Sequence, residues 1–418
     1  MNTARRADLL TLADQAVFSL SSATVLLVVT LRAPTAVLGA FCLLQGYCVC
    51  LLQLAQAAYA EPLLVRRPAS LAAGRTTLTQ AAGGSLAFAL AGAAVLPLFA
   101  TTALGISWTV AIPAAAALPA LIVCDTIRLG LTAAGCPGRA LTIDLFWGTV
   151  QCSCLALVLD FTSSLLWLTT AWSASALAAA LLATATTGIR PRPAALAWWR
   201  SHGDLARPYL AEASALATSA YLALYLVGSI GGLESVAALR GAQSLLGPCS
   251  VAANAVRVAA IAACARTHLT MAALRHRCLL AAAALGGLTL LYGLAVLLFS
   301  HGGNIRALGP SAPVVLAVLP AMTVHRACSA AAVGPLAALR ALHHQRALMY
   351  LRLLSALLLP LGACTGGLYD AAPGAAAGMA SAAVISLLGH TVLLTTAPDG
   401  RPQRTIRSTT AAGVPEAR

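Results

Sequence analysis

Between Ala13 and Leu394 the chain passes through about twelve apolar stretches, each near the ~20 residues that a helix needs to cross a bilayer, with only short polar breaks between them. The first six run from Ala13 to Leu31, Ala36 to Ala60, Thr79 to Thr101, Leu104 to Cys124, Leu141 to Phe161 and Ala171 to Ile189. The second six run from Tyr209 to Leu233, Gly241 to Ala265, Cys278 to Phe299, Ser311 to Ala332, Met349 to Leu368 and Gly374 to Leu394. Only 9% of the 418 residues are charged and the mean hydropathy is +0.85, against roughly 25% charged in soluble domains. This is an all-α, multi-pass integral membrane protein, expected in the cell (cytoplasmic) membrane.

All 26 basic residues are arginines and the formal net charge is +14. They cluster in alternate connections. Arg5 and Arg6 precede the first stretch, Arg66, Arg67 and Arg75 follow the second, and Arg128 and Arg139 follow the fourth. Arg190, Arg192, Arg200 and Arg207 fill the central interval, and Arg266, Arg275 and Arg277 follow the eighth. The intervening connections hold only Arg32, Arg240 and Arg306. Basic connections stay on the cytoplasmic side, so the alternation predicts twelve spans with both termini cytoplasmic. Arginines so placed orient helices in a membrane; they do not form a nucleic-acid surface.

A twofold pattern divides the chain. Leu12-Ala13-Asp14 returns as Leu210-Ala211-Glu212, and Gln45 returns as Gln243, each 198 positions on. The expected organisation is an N-terminal six-helix bundle (1–189), a cytoplasmic linker (190–208), a pseudo-symmetric C-terminal six-helix bundle (209–396) and a disordered tail (397–418). Trp198, Trp199 and Arg200 suit the linker to an amphipathic helix on the cytoplasmic leaflet.

Enzyme chemistry finds no footing. There is no Gly-rich phosphate loop, His-Glu-x-x-His or Gly-x-Ser-x-Gly, and the twelve acidic residues are scattered. His343-His344 reads as a solvated basic turn, and the twelve cysteines as small hydrophobes; no metal and no cofactor is expected. Ionisable residues within spans mark function by default. By helix rise, Asp14, Glu212, Arg257 and Arg326 fall in the inner half of the membrane. They are expected to line a cytoplasm-facing cavity, with Asn254, Gln45 and Gln243 as further cavity candidates and Asp14 and Glu212 as cation-coupling candidates. The planar fork of arginine suits a diphosphate. The bland reading is helix-end charge for the acids and snorkelling for the arginines.

Several motifs have a family likeness. Ala13-Asp14-Gln15-Ala16 with Ser21-Ser22-Ala23, Glu61-Pro62-Leu63-Leu64-Val65-Arg66, Asp125-Thr126-Ile127-Arg128 with Ala134 to Ala140, and Gly232 to Gln243 resemble bacterial polysaccharide-type flippases of the multidrug/oligosaccharidyl-lipid/polysaccharide exporter superfamily. The resemblance implies two six-helix bundles around a central cavity, working by alternating access. It also implies a lipid-linked saccharide of the polyprenyl-diphosphate type as substrate, with glycosyltransferases or a polymerase of the same pathway as partners. A cation-coupled multidrug exporter is the alternative, and a membrane-embedded polymerase or transferase a second.

Overall fold

A computed structural model describes residues 3–66, 68–192, 195–253, 256, 271–301, 309–341 and 345–396. In hydrocarbon every backbone amide and carbonyl must find its partner within the protein, and the chain meets that demand with helices. They are α1 (Thr3–Arg32), α2 (Thr35–Ala55), α3 (Glu61–Val65), α4 (Leu71–Ala103), α5 (Trp108–Ala133), α6 (Pro137–Phe161) and α7 (Leu165–Thr187). There follow α8 (Ala195–Leu245), α9 (Met271–His301), α10 (Ala312–Ala331), α11 (Val333–Ala341) and α12 (Gln345–Thr396). Among the described residues, ten helical segments are long and apolar enough to cross a membrane.

Two of those segments fold back on themselves. Gly232 in α8 has φ 72° and ψ −175°, a conformation open to glycine, and Gly228 on one arm packs against Val236 on the other. In α12 the break falls at Asp370 and Ala371. Its arms approach so closely that a methyl carbon on Gly378 would lie 1.8 Å from the Gly362 carbonyl oxygen, and one on Gly366 2.0 Å from that of Gly374. Small residues let membrane helices approach backbone to backbone. These hairpins correspond to the seventh and eighth and the eleventh and twelfth apolar stretches. The eighth leaves the described residues after 253, apart from Val256.

One boundary differs from the sequence reading in a way that matters. The fourth span was expected to stop at Cys124, before the polar run Asp125-Thr126-Ile127-Arg128. The helix instead continues to Ala133, and all four residues are buried. Arg128 is therefore an interior side chain and contributes nothing to the arginine count of the connections. Arg240 likewise lies within α8, eight residues beyond the turn, and only partly exposed.

The described residues form two large apolar cores and two small ones. The larger joins Val25 through Trp198 with Leu224, Val236 and Ala237; the second joins Ala223 through Met379. They meet along α2 and α8, where a Cβ on Gly39 would lie 2.0 Å from the Leu233 carbonyl oxygen and Tyr47 meets Tyr221 edge-on. Thr30 and Ser244 add a hydroxyl pair at 3.2 Å.

The linker is docked, not slack. Trp198 is fully buried, donates from Nε1 to the Ala58 carbonyl at 3.0 Å and stacks on His202 at 4.0 Å. Arg66 reaches Asp204 and the Ser201 carbonyl, each at 2.6 Å. Replacing Trp198 with alanine is expected to cost about 3–5 kcal/mol. Limited trypsin digestion in detergent should then cut faster at Arg200 than in the wild type.

Candidate functional site

The chemistry inside the first half centres on Arg128. The α-helical spacing of α5 puts Asp125 one turn before it, and the Arg128 guanidinium donates to Asp125 Oδ1 from Nη2 at 2.8 Å and from Nε at 3.3 Å. Its Nη1 donates to Asp14 Oδ2 of α1 at 2.9 Å and to Asp144 Oδ2 of α6 at 3.3 Å. Phe18 of α1 lies under the guanidinium, 4.4 Å from ring centroid to Cζ, a cation–π contact. No more than 3% of any of these four charged residues is exposed.

The backbone of α2 is shaped to join the cluster. Its last turn widens into a π-helical turn, Gln56–Ala60, a form that often marks function. From there Gln56 Nε2 donates to Asp125 Oδ2 at 2.9 Å. Three carboxyls against one guanidinium leave a formal charge of −2. Asp14 and Asp144 share the Arg128 Nη1 donor through their Oδ2 atoms, and Oδ1 of each meets no partner among the described residues. A small void beside them, lined by Leu121, Cys124, Trp147 and Ala176 among others, holds about 10 Å3, enough for roughly one water.

The second half is arranged differently. Glu212 of α8 is paired with Arg352 of α12. Arg326 of α10 is partly buried, and its Nε has no partner among the described residues. Arg240 also has an unpartnered, buried Nε; its Nη1 donates to Gln243 Oε1 at 3.0 Å. Beside Arg240, Gly241 packs against Val315 of α10, the helix that also holds Arg326. His325, beside Arg326, has Nδ1 3.1 Å from the Met379 carbonyl oxygen.

The sequence candidates therefore separate. Asp14 does not line a cavity shared with Glu212; it is enclosed in the first half because Arg128 draws it there, while Arg352 holds Glu212. Gln45 is buried on α2, and Gln243 serves Arg240. Asn254 and Arg257 lie outside the described residues. Sequence reasoning missed Asp125, Arg128 and Asp144 as a cluster and Arg240 as an interior cation. The signal available was the Asp125-x-x-Arg128 spacing, which places opposite charges on one helix face.

No family model and no curated protein sequence matches the chain. Solved structures do. An inward-closed structure of the lipid II flippase MurJ aligns at TM-score 0.71 with 11% identity, over 93% of this chain and 87% of that one. An inward-facing multidrug resistance MATE family transporter of the MOP superfamily aligns at 0.62 with 13% identity, over 91% and 94%. An outward-facing MATE structure aligns at 0.53 with 13% identity, over 94% and 95%. At these identities the likeness is one of fold. The chain has the architecture of the MOP-superfamily transporters, the exporter superfamily that the motifs resemble.

Proposed function

We propose that the chain is a membrane transporter that flips a lipid-linked saccharide of the polyprenyl-diphosphate type across the cytoplasmic membrane, for polysaccharide biosynthesis or export. In this reading there are twelve crossings in two bundles, residues 1–189 and 209–396, joined by the linker 190–208. Both termini and the linker lie in the cytoplasm. The observation that carries the substrate class is the pair Arg240 and Arg326, interior guanidiniums with unpartnered Nε atoms and no carboxylate partner among the described residues. An anionic headgroup supplies the missing charge, and arginine binds phosphate oxygens through two parallel donors. The MurJ likeness supports the reading.

A second reading is favoured by the Asp14–Asp144 pair. A cation-coupled exporter uses a buried carboxyl that takes up and releases a proton, and this pair has the oxygen atoms for it. Arg128, however, already occupies the centre of that cluster.

The two readings part in cells and in vesicles. A deletion strain is expected to accumulate the lipid-linked intermediate and lose surface polysaccharide. Wild-type protein should restore it and R326A should not. Normal polysaccharide without accumulation would refute the flippase reading. Efflux from proteoliposomes that requires a proton gradient and is abolished by D14N would establish the exporter.

A further inference from the structure

The first arm of α8, residues 195–208, has two faces of opposite character. Trp198, His202 and Ala206 are buried, each one turn after the last, and Trp198 anchors this face to the first half. On the other side of the helix, Leu196, Arg200 and Arg207 fall within about 40° of one another, and all three are exposed. Leu196 is an apolar side chain left 66% open between two guanidiniums and the start of the arm.

The charge of this stripe is not cancelled from within the protein. Asp204 is the one acidic residue of the arm, and Arg66 of the first half holds it at 2.6 Å. Arg200 and Arg207 meet no carboxylate among the described residues. The segment that leads into the arm continues the same sign, with Arg190 and Arg192 exposed. It is also fixed in place. Arg75 of α4 donates to the Gly188 carbonyl at 3.0 Å, and a Cβ on Gly83 of α4 would lie 1.7 Å from the Arg192 carbonyl oxygen.

The path of α8 brings the stripe to a membrane surface. α8 touches α2 at Gly46, which packs against Leu224, and again at Ala58, which accepts from Trp198. These contacts are about 18 Å apart along α2 but about 39 Å apart along α8. α8 therefore bows away from α2 between them, with Pro208 in the bow, and its first arm slants back across the end of the bundle. Arg207 stands directly before the apolar stretch that begins at Tyr209.

We infer that this stripe binds the headgroups of anionic phospholipids in the leaflet beside the linker. Guanidiniums take phosphate oxygens through paired donors, and Leu196 enters the acyl boundary next to them, as apolar residues of interfacial helices do. Clusters of about four to eight basic residues beside a span attract anionic lipid, and Arg190, Arg192, Arg200 and Arg207 make such a cluster. Lipid bound here presses the arm onto the first half, so the composition of the leaflet sets how firmly the linker is held. The inference concerns a surface that the proposed function does not use. It takes from that reading only the cytoplasmic side of the linker, which names the leaflet.

Purified full-length protein is reconstituted in nanodiscs of phosphatidylcholine alone, or of phosphatidylcholine and phosphatidylglycerol in equal parts, and its thermal unfolding is followed. Both leaflets of a disc have one composition, so the result does not depend on which side the linker faces. Wild type is expected to unfold about 3 °C or more higher with phosphatidylglycerol. Molar salt should remove most of that gain, because exposed charges are screened. R200Q/R207Q should lose at least half of it. R139Q/R277Q removes the same number of charges from exposed positions on other arginine-bearing connections and should keep it. All four side chains are exposed, so the variants should fold, and native mass spectrometry should find less phosphatidylglycerol retained by R200Q/R207Q alone. A wild type indifferent to phosphatidylglycerol, an undiminished gain in R200Q/R207Q, or an equal loss in both double variants would overturn the inference. So would inorganic phosphate that reproduces the gain in phosphatidylcholine discs, since the site would then take a free anion. None of these outcomes touches the flippase reading, which is decided by the lipid-linked intermediate.

Discussion

Replacing Arg128 with methionine is expected to be the most damaging single substitution in the first half. Methionine fills much of the arginine stem volume but leaves Asp14, Asp125 and Asp144 enclosed with no cation. Breaking a buried ion pair by removing one partner costs about 3–5 kcal/mol, and here one guanidinium serves three carboxyls on three helices. The expected result is loss of folded protein from the membrane fraction and a large drop in the unfolding temperature of what remains. Combining R128M with D14N, D125N and D144N should recover most of the loss, since neutral amides need no counter-charge. The acids alone should behave unequally. D144N provides an N–H donor for Asp14 Oδ1, which lacks one, and should leave stability unchanged or raise it by up to about 1 kcal/mol. D125N keeps one acceptor oxygen and turns the other into an N–H donor that faces either the Arg128 guanidinium or the Gln56 amide, and should destabilise. Thermal unfolding of the variants in detergent checks the order; equal losses for D144N and R128M would contradict it.

Gly39→Val is expected to have the largest effect on conformation. The added Cβ would meet the Leu233 carbonyl oxygen at 2.0 Å, and this is backbone against backbone, with no side-chain rotamer to absorb it. The contact joins α2 of the first half to the second arm of α8, beside the Gly232 turn. A wedge there separates the halves at that end and disfavours the arrangement described above. Overpacking of this kind costs about 1–3 kcal/mol, which shifts a two-state population roughly 5- to 150-fold. Cysteines in place of Thr30 and Ser244, whose hydroxyls meet at 3.2 Å across the seam, should cross-link readily in the otherwise wild-type protein and poorly in G39V. Unchanged cross-linking would show that this contact does not hold the seam.

The architecture was largely legible from hydropathy and arginine placement, because membrane spanning imposes length, apolarity and backbone satisfaction on the same stretch. The turn at Asp370 falls in the polar break between the eleventh and twelfth stretches, whereas the seventh turns at Gly232, just inside its expected end, and 234–240 are helical. What misled was polarity used as a boundary signal. Asp125-Thr126-Ile127-Arg128 has the composition of a connection, and hydropathy alone cannot tell charges that meet water from charges that meet each other. Only the packing of α1, α5 and α6 brings Asp14, Asp144 and Arg128 together from positions up to 130 apart. Arg326 was recognisable as an interior cation from its place in an apolar stretch.

The docked linker has a mechanical consequence. From Trp198 to the turn at Gly232 the chain is one unbroken rod, clamped to the first half at its beginning and built into the second half at its end. No loose tether lets the halves swing past one another. Any rocking between them must flex this rod, and Pro208, which cannot donate a helical hydrogen bond, is its weakest point. The protein is built less like two shells on a string than like a crank with a single compliant joint.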